Sequence, residues 1–146
     1  MREQLTELFA KLRSLKLSNL WTAAAEKPIA KVFSDASHNE QQDILGVGCA
    51  IMLPAQLDII TSSRIVDIDK TKEIKKYASN IGEFYAVYHA LRLVPEHDVI
   101  LHTDHDGVIS FFENKRRSRK LENLWDMVHV LDYLENARDS GRVKKV

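Results

Sequence analysis

Three acidic residues stand at points where the chain changes character: Asp35 after the apolar run Ile29 to Ser34, Glu83 at the head of an apolar helical pattern, and Asp104 after Val99 to Thr103. Strand alternation places Phe33 with Asp35 on one face, and Ile100 and His102 with Asp104 on one face of another strand. Each carboxylate is therefore expected to continue a core-facing row. Burying one carboxylate is costly and two together repel, so the arrangement is economical only around a counter-charge or a metal ion. Hard oxygen donors suit Mg²⁺ or Mn²⁺, which keep coordination positions for water and phosphate. A pair of such ions about 3.5 to 4 Å apart can activate water and stabilise a leaving oxygen in displacement at phosphorus.

Plainer roles compete at each position. An Asp after a strand often satisfies its own turn backbone. Asn80 and Glu83 have the N-cap and N3 spacing of a capping box. Asp106 reads as the cap of a following helix, and His105 as an exposed loop residue.

The elements that must position these residues follow from periodicity. Leu5, Leu8, Phe9, Leu12 and Leu15 trace an amphipathic helix over the first seventeen residues, followed by a connector through residue 27. Residues 29–34, 46–53 and 59–68 read as a meander of three strands, with a polar hairpin-like stretch from His38 to Asp43. Phe84, Val87, Tyr88, Leu91 and Val94 mark a helix ending at Pro95, then come the strand 99–103 and a short helix at 108–112. A basic run (Lys115, Arg116, Arg117, Arg119, Lys120) leads into a helix through Leu121, Leu124, Trp125, Val128 and Leu131. Gly141 stops that helix, and Val143 to Val146 begins a fifth strand. The result is an α/β class chain: an extra N-terminal helix on residues 1–27, then one domain over 28–146 with a mixed five-stranded sheet. The strand-helix-strand crossover predicts that the first and fourth strands are parallel neighbours.

Composition bounds the partners. With 146 residues, 45% hydrophobic and 29% charged, the chain is ordinary globular material. Twenty-one basic side chains balance 21 acidic ones, so attraction to a polyanion must come from local clustering. The single cysteine, Cys49, excludes an intrachain disulfide and reads as a buried hydrophobe in a reducing, cytoplasmic setting. No phosphate-cradling glycine loop, zinc-binding cysteine cluster or nucleophilic serine triad can be assembled. Tyr88 and Trp125 fit core packing by their spacing, whereas Trp21 and Tyr85 could also stack on bases. His38 reads as ordinary surface.

On these residues the chain resembles the ribonuclease H family over Ile29 to Val146. Val32-Phe33-Ser34-Asp35-Ala36-Ser37 is similar to its first-strand motif, Ser79 to Glu83 to the Asn-containing turn before its catalytic Glu, and Val99 to Asp104 to its fourth strand ending in Thr-Asp. The resemblance implies that Asp35, Glu83 and Asp104 are catalytic metal ligands for Mg²⁺ or Mn²⁺. It implies too that Asn80 touches the substrate backbone, at a 2′-hydroxyl of RNA, and that Lys115, Arg116, Arg117 and Arg119 bind substrate. Two departures stand out. His105 replaces the Ser that commonly follows the third carboxylate, and the sequence reaches Val146 before the helix that carries the family's fourth carboxylate and a nearby His. The metal site is therefore expected to be incomplete, whether by truncation, by working with three carboxylates, or by loss of catalysis. Glu3 or Glu7 of the N-terminal helix could fill the gap.

The expected function is a metal-dependent endonuclease hydrolysing the RNA strand of RNA·DNA hybrids. A DNA-directed nuclease or recombination factor shares the same carboxylates. A binding or assembly module, self-associating through the unfinished fifth strand or the N-terminal helix, is the alternative from another class.

Overall fold

The computed structural model describes residues 4–7, 28–39, 44–54, 56, 58–66, 76–124 and 127–146. Residues 4–7 are helical. The rest of the expected N-terminal helix, its connector and Trp21, the stretch 40–43 and Trp125 lie outside the described residues.

Strands β1 (Ile29–Asn39), β2 (Ile44–Met52) and β3 (Ile59–Val66) precede helix α1 (Ala78–Leu93) and strand β4 (Asp98–His102). Helices α2 (Asp106–Asn114), α3 (Arg119–Glu122) and α4 (Met127–Asp139) follow, then strand β5 (Val143–Lys145). The sheet order is β3-β2-β1-β4-β5. β1 runs antiparallel to β2 and parallel to β4, as the crossover rule requires. β1 runs five residues further than the alternation of apolar residues suggested, because its pairing with β2 continues to Asn39 opposite Ile44.

The core lies on the face opposite to the one expected from Asp35. Ala30, Val32 and Ser34 of β1 and Val99 and Leu101 of β4 are the buried row, while Phe33, Asp35 and His102 are exposed. Both faces of these strands carry apolar residues, so alternation alone could not say which face α1 would cover. Phe33 and His102 stack on the outer face, ring centroids 4.5 Å apart. The same face also exposes Ile29, Met52, Ile59 and Ile65.

Helix α1 is apolar nearly all round, and Ile81, Val87, Ala90 and Leu91 are fully buried. It begins at Ala78 with Tyr77 at the cap and no side-chain cap bond. The capping-box expectation for Asn80 and Glu83 therefore fails: both lie inside the helix, whose start is set by the packing of Ala78 and Ile81. Gly82 lets α1 approach the sheet closely. A Cβ there would come within 2.6 Å of Leu45 Cδ1 and 3.0 Å of Ala36 Cβ. Gly82→Ala is expected to cost about 1 to 3 kcal/mol by overpacking, read as a lower melting temperature. A melting temperature equal to that of the unaltered protein would show that the helix can lift off the sheet at no cost.

The C-terminal elements are fastened to the far end of α1. Arg142 donates to the Leu91 carbonyl at 2.6 Å, to the His97 carbonyl at 2.9 Å and to the Val94 carbonyl. It thereby adds a charged donor to the Leu91 and Val94 carbonyls, which also accept from Val94 N–H at 3.3 Å and His97 N–H at 3.1 Å. Tyr88 packs edge-on against Tyr133 of α4, centroids 5.1 Å apart. Cys49 is buried and free. Among the described residues, no helix is long and apolar enough to cross a membrane.

Candidate metal centre and adjoining groove

Asp35 sits mid-strand on β1, paired with Gly48 of β2. Asp104 lies two residues beyond β4, and because Phe33 registers with His102 in the parallel pair, Asp35 and Asp104 are level with each other. Glu83 comes down from α1 at the point where Gly82 meets Leu45 and Ala36. Oxygen atoms of Asp35, Glu83 and Asp104 lie within 4.8 Å of one another, the one such cluster of His, Cys, Asp or Glu among the described residues.

The electrostatics of three clustered carboxylates call for a counter-charge. Glu83 is only 9% exposed, and its Oε2 is buried with no hydrogen-bond partner among the described residues. Burial pushes its carboxyl up to about 7, and the charges of Asp35 and Asp104 push the same way, against a hydrogen bond from the Ala36 backbone. Asp35 and Asp104 remain exposed, so the cluster opens to solvent on their side. Ala36 N–H donates to Asp35 Oδ1 at 2.9 Å, which fixes the carboxylate on the strand. Three hard oxygen donors at this spacing, one of them buried with an unsatisfied oxygen, fit a small divalent cation.

His105, not Asp106, caps α2. Its Nδ1 accepts from Val108 N–H at 3.2 Å, and its Nε2 lies 3.1 Å from Asn80 Oδ1. Asp106 is the first helical residue. The His105 ring thus braces Asn80 beside Asp104, a contact the sequence does not announce because 25 residues separate the two.

A groove of about 880 Å³ runs from this corner to the basic segment, lined by Tyr77, Asn80, Phe84, Asp104, His105, Arg116, Arg117, Lys120 and their neighbours. The basic residues are not equivalent. Arg117 is held by Glu122 at 3.2 Å, Asp132 at 2.8 Å and Glu135 at 2.7 Å, so three carboxylates already answer its charge. Lys115 turns the chain at the end of α2 with a left-handed backbone, φ 54°. Arg116 and Lys120 face the groove, and Arg119 opens α3, exposed. A second groove of about 570 Å³ leads the other way, from Asp35 over Gly46 and Gly48 to Arg64 on β3.

No protein-family model matches the sequence, and no curated protein matches it. Solved structures do share its architecture. The N-terminal RNase H domain of a Mycobacterium tuberculosis protein, solved as a fusion with maltose-binding protein, is 10% identical with a TM-score of 0.57, over 81% of this chain and 78% of that one. RNase H1 of the halophilic archaeon Halobacterium salinarum is 12% identical, TM-score 0.51, over 80% and 77%. LC11-RNase H1, solved in complex with an RNA/DNA hybrid, is 11% identical, TM-score 0.54, over 80% of each chain. At such identities the likeness lies in the arrangement of strands and helices, and by that arrangement the chain is ribonuclease-H-like in fold.

Proposed function

We propose that the protein is a divalent-metal-dependent endonuclease that hydrolyses the RNA strand of RNA·DNA hybrids, with Asp35, Glu83 and Asp104 as its metal ligands. The observation that carries this reading is the convergence of three carboxylates, one buried with an unsatisfied oxygen, on a sheet whose likeness includes an RNase H1 bound to a hybrid. Bound Mg²⁺ or Mn²⁺ would supply an activated water and neutralise charge on the leaving oxygen. The chain does the rest. Asp35 and Asp104 hold their oxygens at the solvent side, and Glu83 closes the site from the helix. Asn80, steadied by His105, meets the substrate backbone. Arg116, Lys115, Arg119 and Lys120 supply positive charge along the groove, while Arg117 organises the segment that carries them.

Incubating the protein with labelled RNA·DNA hybrid, duplex DNA and duplex RNA, each with Mg²⁺, Mn²⁺ or EDTA, tests the proposal. Cleavage of the RNA strand of the hybrid, dependent on metal, is the expected result. Equal cutting of hybrid and duplex DNA would move the assignment to a DNA-directed nuclease.

A second reading is a binding or assembly module that retains the carboxylates without cleavage. It is favoured by the outer sheet face, where Ile29, Phe33, Met52, Ile59 and Ile65 are all more than 40% exposed. Metal binding without cleavage of any of the three substrates, together with a mass in solution that rises with concentration, would establish it.

A further inference from the structure

Away from the carboxylates, side chains of α1 reach the edge strand β3, where Ser62 meets His89 with Arg64 and Arg92 close enough to act on the imidazole. Ser62 Oγ lies 2.9 Å from His89 Nε2. Arg64 is two residues beyond Ser62, so both project from the same face of β3. Arg92 is three residues beyond His89, so both lie on the same side of α1.

The two guanidiniums are held in place rather than trailing in solvent. Arg64 lies 5.8 Å from the centre of the Tyr85 ring, and Arg92 lies 5.1 Å from that of Tyr88 while donating to its hydroxyl at 3.2 Å. Both rings are buried in the core. Among the described residues neither arginine is within ion-pair distance of a carboxylate. Burial and the charges of Arg64 and Arg92 hold the His89 imidazole below its usual range. Two cations fixed around a hydroxyl and an imidazole repel unless an anion lies between them, the converse of the argument for the three carboxylates.

The approach to this cluster is open. Arg64 pairs with the buried Val47, so it projects on the α1 side of β3, at the free edge of the sheet. Ser62 and Arg64 stand two strands from β1, about 10 Å away across the sheet.

We propose that Ser62, Arg64, His89 and Arg92 form a phosphate-binding site, which holds the backbone of a nucleic-acid strand that passes the free edge of β3 on the side of α1. The reading rests on the proposed nuclease function for its ligand but not for its geometry. Arg64 and Arg92 grip phosphate oxygens, with Ser62 Oγ as a further donor. The site lies outside the catalytic corner, so it governs affinity for longer substrates rather than the cleavage step.

The test uses the R64Q/R92Q double variant, whose altered side chains are both exposed, with circular dichroism to confirm its fold. First, inorganic phosphate is titrated into each protein and the His89 ring resonances are followed by NMR. Second, binding of a long RNA·DNA hybrid is measured in Ca²⁺ across a series of salt concentrations. The expected result is a His89 shift with phosphate that is lost in the variant, and a salt dependence shallower by about one in log–log slope. Cleavage of a short hybrid in Mg²⁺ is expected to be unchanged within about twofold. No His89 response overturns the site, and a response to phosphate with an unchanged hybrid slope overturns its assignment to a nucleic-acid backbone. If the unaltered protein cleaves nothing yet both phosphate and slope effects appear, the site stands and the nuclease reading falls.

Discussion

Asp35→Asn is expected to slow metal-dependent cleavage of the hybrid by about 10³-fold or more, several kcal/mol in the barrier. The substitution is nearly isosteric, and the amide retains an oxygen that can accept from Ala36 N–H, the bond Asp35 Oδ1 makes at 2.9 Å. Asp35 is also exposed, so the core does not depend on it. The loss should therefore appear in kcat and in the Mg²⁺ concentration needed, with the melting temperature of the metal-free protein almost unmoved. An Asp35→Asn protein that cleaves within tenfold of the unaltered protein would falsify the assignment of this carboxylate as a metal ligand. Asp104→Asn should behave likewise, since it occupies the corresponding level beyond β4.

Glu83→Gln is expected to separate stability from function in opposite directions. In the folded, metal-free protein the Glu83 carboxyl titrates near 7 rather than 4.5, because of burial first and the two aspartates second. The folded state thus holds a proton that the unfolded state has already lost between these pH values. Stability must therefore fall as pH rises from about 4.5 to about 7, with a total contribution of up to about 3 kcal/mol. Glutamine carries no charge and removes that dependence. The variant should melt roughly 5 to 10 °C above the unaltered protein at pH 8 without metal, and close to it at pH 4.

Metal reverses the comparison. Binding at Glu83 must displace the proton, so Mg²⁺ affinity should weaken as pH falls below about 7, by up to tenfold per unit. Mg²⁺ should raise the melting temperature of the unaltered protein at pH 8 and leave the variant nearly unaffected. Thermal melts at four pH values, with Mg²⁺ or EDTA, check all of this. Parallel curves for the two proteins from pH 4 to pH 8 would show that Glu83 bears no such strain.

The strongest signals in the sequence were those with a local physical cause. Apolar runs of the right length marked β1, β2 and β4, and the periodicity from Phe84 to Leu91 marked α1, because each pattern is imposed by the element itself. The adjacency of β1 and β4 followed from the handedness of a strand-helix-strand connection, so the three acidic residues could be placed at one corner before any contact was known. Their chemical character followed from residue type alone.

What the tertiary structure alone decided concerns which of two locally permitted arrangements wins. Both faces of β1 carry apolar residues, and only the docking of α1 made Ala30, Val32 and Ser34 the inner row and left Phe33 and Asp35 outside. Asn80 and Glu83 satisfy a capping pattern, yet Ala78 and Ile81 bury themselves and carry the helix start upstream. Arg117 is indistinguishable from Arg116 in sequence, and α4 alone brings Asp132 and Glu135 to it. The Ser62–His89 contact, with Arg64 and Arg92 beside it, joins residues 27 positions apart. Composition and periodicity determine which elements form and what their side chains can do. Which faces meet, and so which charges are paired or left facing an open groove, is set by packing between elements distant in the chain.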